Sequence, residues 1–114
     1  NGVLDEEVYI EQLVRFMIGN DETKVCRLKK VLYGLKLAPR AWYFQLDAYL
    51  MKVQFKRGVD HNHYAKNSQE DQFMVLVYAD NIIFSGSMQR SVEEFANHMK
   101  SEFEMSMIVE LTYF

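Results

Sequence analysis

The chain of 114 residues has one cysteine, one proline and five glycines. A lone thiol, Cys26, excludes a disulfide framework within the chain and any all-cysteine zinc site. With Pro39 as the single proline and glycine scarce, there is little material for linkers. No internal repeat and no low-complexity stretch is visible. No apolar run approaches the ~20 residues that span a bilayer, so no membrane partner is expected. The start does not resemble a signal peptide, which predicts a protein that is not secreted. The opening Asn1-Gly2, in place of a methionine, predicts a piece of something longer. A glycine-rich phosphate cradle and a serine nucleophile elbow are both missing.

Half of the residues, 49%, are apolar, enough for one modest core and too many for a disordered chain. The net charge of -3 does not suggest a nucleic-acid binder, but the average hides a segregation. Residues 1–23 carry Asp5, Glu6, Glu7, Glu11, Asp21 and Glu22 against Arg15. From Lys24 to Leu46 there is no acid, and Lys24, Arg27, Lys29, Lys30, Lys36 and Arg40 follow one another. Such a block either makes a local positive face or is balanced by Glu6, Glu7 and Glu11 on folding.

Apolar spacing places the elements. Val8-Tyr9-Ile10 is short and rich in β-favouring residues. Gly19-Asn20-Asp21-Glu22 reads as a turn, and Val25 to Leu28 suits a short strand. Pro39 fits the first turn of a helix over about 39–54, with Trp42, Leu46, Tyr49, Leu50 and Val53 on one face. Residues 55–60 read as an exit loop. Tyr64–Lys66, Phe73–Tyr78 and Ile82–Phe84 are predicted to pair as antiparallel strands, and their nearly continuous apolar runs call for cover on both faces. A second helix is expected over about 88–103, capped by Ser87 or by a Ser91/Glu94 box. Leu111 to Phe114 reads as a strand cut short. The class is α+β: an antiparallel sheet covered by two helices packed on the same face.

Asp80 stands out as a carboxylate at the tip of a rigid apolar hairpin, a suitable place for a metal ligand. The plainer reading is that Asp80 and Asn81 only form the turn. His61 and His63, beside Asp60, have the spacing for one face of a strand and for zinc, or are ordinary surface histidines. Cys26 has a cationic neighbour, Arg27, but the apolar surroundings of an inert thiol. Trp42, Tyr43 and Phe44 adjoin the basic block in the manner of a stacking platform. Helical spacing puts Trp42 in the core and leaves Tyr33 as the better exposed ring.

The run from Leu28 to Tyr43, LKKVLYGLKLAPRAWY, resembles the reverse transcriptase of copia-type LTR retrotransposons. The family's typical string reads LKKALYGLKQAPRAWY, and fourteen of sixteen positions agree. The flanks are similar too. Asn1-Gly2 with Leu4 to Gln12 resembles NG-L-EEEVYMEQP, Tyr78-Ala79-Asp80-Asn81 takes the place of YVDD, and Ser101 to Met105 reads SEFEM. The resemblance covers essentially the whole chain. It implies a partial right-hand polymerase, with residues 1–40 as a fingers-like segment and nucleotide-side loop and 41–114 as a palm-like segment.

The resemblance further implies a parent enzyme that extends a primer on an RNA or DNA template from deoxynucleoside triphosphates, in a cytoplasmic particle or the nucleus. Three aspartates and two Mg2+ ions, or Mn2+ in their place, carry that chemistry. Asp80 matches the first acid of the pair, and Asn81 stands where the second belongs. The third acid of the family lies upstream of the Asn1-Gly2 position. Tyr33, Gly34, Lys36, Leu37 and Arg40 match the nucleotide and template side, with Lys29 and Lys30 toward the nucleic-acid backbone. Leu37 replaces a glutamine, Ala79 a valine, and Leu13-Val14-Arg15 a turn containing proline and glycine. These departures predict a reverse transcriptase fragment that is inactive as this chain and binds no metal stably. The alternative is a degenerate remnant acting at most as a weak nucleic-acid-binding or interaction module.

Overall fold

Strands without a polar side must be covered above and below, and the computed structural model shows how this chain does it. It describes residues 2–19, 23–30, 39–59, 62–69, 71–103 and 105–113. In chain order these form α1 (Gly2–Ile18), β1 (Thr23–Lys30), α2 (Pro39–Lys52), β2 (Lys56–Arg57), β3 (His63–Asn67), β4 (Gln72–Tyr78), β5 (Asn81–Gly86), α3 (Gln89–Glu102) and β6 (Met105–Tyr113). The strands make one antiparallel sheet in the order β2-β3-β4-β5-β1-β6.

The expected hairpin pairs as the sequence predicts, with Tyr64 opposite Val75 and Val77 opposite Ile82. Side chains alternate across the sheet. Phe73, Val75 and Val77 of β4, Ile82 and Phe84 of β5, and Cys26 and Leu28 of β1 face one side. There Trp42, Leu46 and Leu50 of α2 and Val92, Phe95, Ala96 and Met99 of α3 cover them. Both predicted helices therefore lie on the same face, and Trp42 is core.

The expectation of two helices is incomplete. A third, α1, covers the other side, where Ile10, Val14 and Met17 meet Val25, Leu76 and Ile83. The β-favouring Val8-Tyr9-Ile10 lies inside this helix. Apolar positions 10, 14 and 17 recur at spacings of 4 and 3, and burying that stripe on the sheet outweighs the local preference of three residues. The exit loop contains the short strand β2, and the last strand starts at Met105 rather than Leu111. Of the expected turn at 19–22, Gly19 has the left-handed φ of +62° and residues 20–22 lie outside the described residues.

The start of α3 also differs. Its N-cap is Met88, with no side-chain cap of its own. Asp71, from the β3–β4 turn, reaches over instead. Its Oδ1 accepts the Ser87 hydroxyl at 2.8 Å and the Ser87 N–H at 3.2 Å. Burial pushes the Asp71 carboxyl up, but hydrogen bonds from Ser87 and Ser91 and from the Met88 main chain outweigh it and hold it below its ordinary value.

Candidate functional site

The β4–β5 ladder closes at Tyr78 opposite Asn81, leaving Ala79 and Asp80 as a two-residue tip. Ala79 takes a left-handed φ of +53°, a region that favours glycine. The main-chain N–H of Lys30 donates to the Asp80 carbonyl at 2.8 Å, tying the tip to the end of β1. Val77 and Ile82, which flank the tip, are buried. Asp80 is half-buried, at a position whose backbone is held from both sides.

Asn81 is fully buried on the α1 side of the sheet. Its cross-strand partner is Lys29, so Arg27, two residues along, is its diagonal neighbour. Arg27 Nε donates to Asn81 Oδ1 at 2.9 Å. Arginine can only donate, so the amide must turn its oxygen toward it. The Asn81 Nδ2 then faces the tip and donates to the Tyr78 carbonyl and to Asp80 Oδ1, each at 3.3 Å. Arg27 is 6% exposed and spends its other two nitrogens on Glu7 of α1, at 2.8 and 2.9 Å. The hydrogen bond from Arg27 holds the Glu7 carboxyl below its ordinary value despite partial desolvation, with Lys29 adding to the effect.

A continuous polar path thus runs from Glu7 through Arg27 and Asn81 to Asp80, joining α1, β1 and the tip. Sequence reading placed Asp80 and Asn81 but missed Arg27 and Glu7 as their supports. The visible signal was the acidic start facing an acid-free basic block, and part of that block is indeed balanced by Glu7.

The remaining predicted residues do not converge. Lys29 lies on the Glu7 side, whereas Lys30 sets its Nζ 5.4 Å from the centre of the Trp42 ring, on the opposite side. Arg40 is exposed at the start of α2 and lines a groove of about 380 Å3 with Tyr43, Phe44, Asp47, Arg57 and Tyr64. Within that groove Asp47 accepts the Tyr64 hydroxyl at 2.7 Å and Arg57 at 2.8 Å. Burial, then the bond to Asp47, pushes the Tyr64 hydroxyl pKa strongly up. Tyr33, Gly34, Lys36, Leu37 and His61 lie outside the described residues. His63 is half-buried on β3, and Cys26 is buried in the core.

Among the described residues no group of three histidine, cysteine, aspartate or glutamate side chains could hold a metal ion. At the tip, Asp80 is one carboxylate that already accepts an N–H from Asn81, and the neighbouring amide oxygen faces a guanidinium. A pair of divalent ions needs several anionic oxygens converging on it. The described residues do not fit that requirement. No helix among them is long and apolar enough to cross a membrane.

A family model described as reverse transcriptase (RNA-dependent DNA polymerase) matches residues 1–114. The Retrovirus-related Pol polyprotein from transposon RE1 of Arabidopsis thaliana is 33% identical over 114 residues, which is 99% of this chain and 8% of the relative. The Retrovirus-related Pol polyprotein from transposon TNT 1-94 of Nicotiana tabacum is 33% identical over 107 residues, covering 92% of this chain and 8% of the relative. A putative transposon Ty5-1 protein of Saccharomyces cerevisiae is 29% identical over 84 residues, 73% of this chain and 27% of the relative. The chain thus spans about 8% of the length of the two Pol polyproteins. No solved structure matches the chain.

Proposed function

From its membership of the reverse transcriptase (RNA-dependent DNA polymerase) family, in the copia-type branch, we propose that this chain is a fingers/palm piece of a retrotransposon polymerase that does not run the reaction by itself. Residues 1–40 supply the fingers-like segment and nucleotide-side loop, and 41–114 the palm-like segment. The parent acts inside the cell, in a cytoplasmic particle or the nucleus. There it extends a primer on a nucleic-acid template from deoxynucleoside triphosphates, with Mg2+ or Mn2+ supplying positive charge to the phosphates. Asp80 is this chain's acidic contribution to that chemistry.

One observation carries the inactive reading. The position after Asp80 is an amide whose oxygen is bonded to Arg27, so the tip offers one carboxylate where phosphoryl transfer with two dications needs more. The test is incorporation of labelled deoxynucleotides into a primer–template by the purified chain with Mg2+ or Mn2+. The expected result is no signal above a protein-free control. Incorporation that disappears in Asp80→Ala would overturn the reading.

A weak affinity for nucleic acid is the second part of the proposal. The main-chain bond from Lys30 to Asp80 puts the end of the basic strand beside the tip. Lys29, Lys30, Lys36 and Arg40 are the cations assigned to the backbone and template side. Binding of this kind is largely indifferent to sequence and falls steeply with salt. Anisotropy titrations of a primer–template at low and moderate salt check it. Unchanged affinity after alanine replacement of all four would remove it.

A further inference from the structure

Two oxygens converge on the Asn81 amide nitrogen at the tip: the Tyr78 carbonyl and Asp80 Oδ1, both at 3.3 Å. Two acceptors this close to one point need positive charge between them, and they get it here from the two N–H bonds of one amide group. The orientation of that group is not free. Arg27 Nε holds the opposite, oxygen end, and Glu7 holds Arg27 in turn. The amide is fully buried, although Asp80 itself is half-exposed, so losing the amide's donors leaves the Tyr78 carbonyl and the inner side of the Asp80 carboxylate less well satisfied.

We propose that Asn81 is a built-in substitute for a cation. Its amide, set by Arg27, supplies the positive ends that Asp80 and the Tyr78 carbonyl would otherwise take from a divalent ion, and the tip of this chain is therefore cation-independent. An aspartate at 81 reverses the situation. Its carboxylate keeps one oxygen on Arg27 and turns the other toward the Tyr78 carbonyl and Asp80, placing three acceptors together without the two N–H donors of the amide. The main-chain ladder still closes the hairpin, but its tip then gains stability from a divalent cation. Position 81 in this reading is a positioning residue that decides between a self-neutralised and a cation-dependent tip. The inference rests on Asp80 being the metal-facing carboxylate of the polymerase reading, but it is measured through stability and not through nucleotide incorporation, so the two fail separately.

The experiment is thermal unfolding of the whole chain, Asn81→Asp and Asn81→Ala, each in EDTA and in millimolar Mn2+. The native chain is expected to melt at the same temperature in both. Asn81→Asp should melt at least about 4 °C lower in EDTA and recover most of that loss in Mn2+. Asn81→Ala should melt lower in both, because it loses the donors without gaining an acceptor. Asn81→Asp as stable as the native chain in EDTA, or destabilised without recovery in Mn2+, would overturn the proposal. Where Asn81→Asp fails to fold under either condition, Mn2+ broadening of amide resonances in the native chain decides. Broadening at Asp80 no stronger than at exposed carboxylates such as Glu93 and Glu94 supports the substitute, and selective broadening at Asp80 defeats it.

Discussion

On the side of the sheet covered by α2 and α3, Phe55, Phe73, Phe84 and Phe95 pack ring on ring, with centroids 4.7 to 6.2 Å apart. On the side covered by α1, a smaller set of aliphatic side chains shares the space with a buried guanidinium and a buried amide. The first side gains free energy in proportion to apolar area, without regard to direction. The second gains little net stability from its ion pair, because desolvating Arg27 consumes much of the attraction. It gains direction instead. Each bond from Glu7 to Asp80 has one permitted donor and one permitted acceptor, so the tip is aimed as well as held. The lesson of the pair is that stability and geometry are provided by opposite faces of the same strands.

The largest effect should come from the aromatic side. Phe84 is fully buried against Phe73 and Phe95. Phe84→Ala is expected to lower stability by about 3–5 kcal/mol, read as a drop in urea midpoint with an unchanged slope. A loss no larger than that of a polar-side variant would break the comparison.

A smaller loss, about 1–2 kcal/mol at neutral pH, is expected for Glu7→Gln. Hydrogen bonds to a charged group are worth somewhat more than this, but half of the Glu7 side chain is in solvent. The effect carries a pH signature. The folded Glu7 carboxyl sits below its ordinary 4.5, so its contribution is complete above that value and is lost as pH falls through the lowered one. The stability difference between native and Glu7→Gln should therefore be full at neutral pH and vanish in acid. A difference constant across that range would mean that the pair holds no charge-dependent stability.

The smallest effect, and the only gain, is expected at the tip itself. Ala79 pays for its left-handed φ with strain that glycine does not have. Ala79→Gly should raise stability by about 0.5–1 kcal/mol, the relief being partly offset by the greater freedom of glycine in the unfolded chain. A loss would show that the Ala79 methyl group contributes packing that outweighs the strain.

Much of the fold is legible in local pattern. The two predicted helices follow from spacings of 3 and 4, and the pairing of the central hairpin, with Asp80 in its turn, from two apolar runs divided by Ala79-Asp80-Asn81. Val8 to Ile10 misled because three β-favouring residues say less than a stripe at 10, 14 and 17 that has a sheet to bury against. The capping of α3 was illegible for a related reason. Ser87 and Ser91 are where a cap should be, yet both bond to Asp71 of a different turn.

Family membership was written in the sequence itself, because a long run of matching residues needs no knowledge of where the chain goes next. The nearly continuous apolar runs likewise decided that both sides of β4 and β5 would be covered. Only the tertiary structure decided what covers them, and what Asn81 does. Its partner Arg27 lies 54 residues away along the chain, and the two meet because β1 pairs with β5 in one register. A shift of that register by one residue would turn Arg27 to the aromatic side and leave Asn81 without it. Hydrogen-bond direction depends on ångström placement across strands, and that placement is a property of the folded sheet.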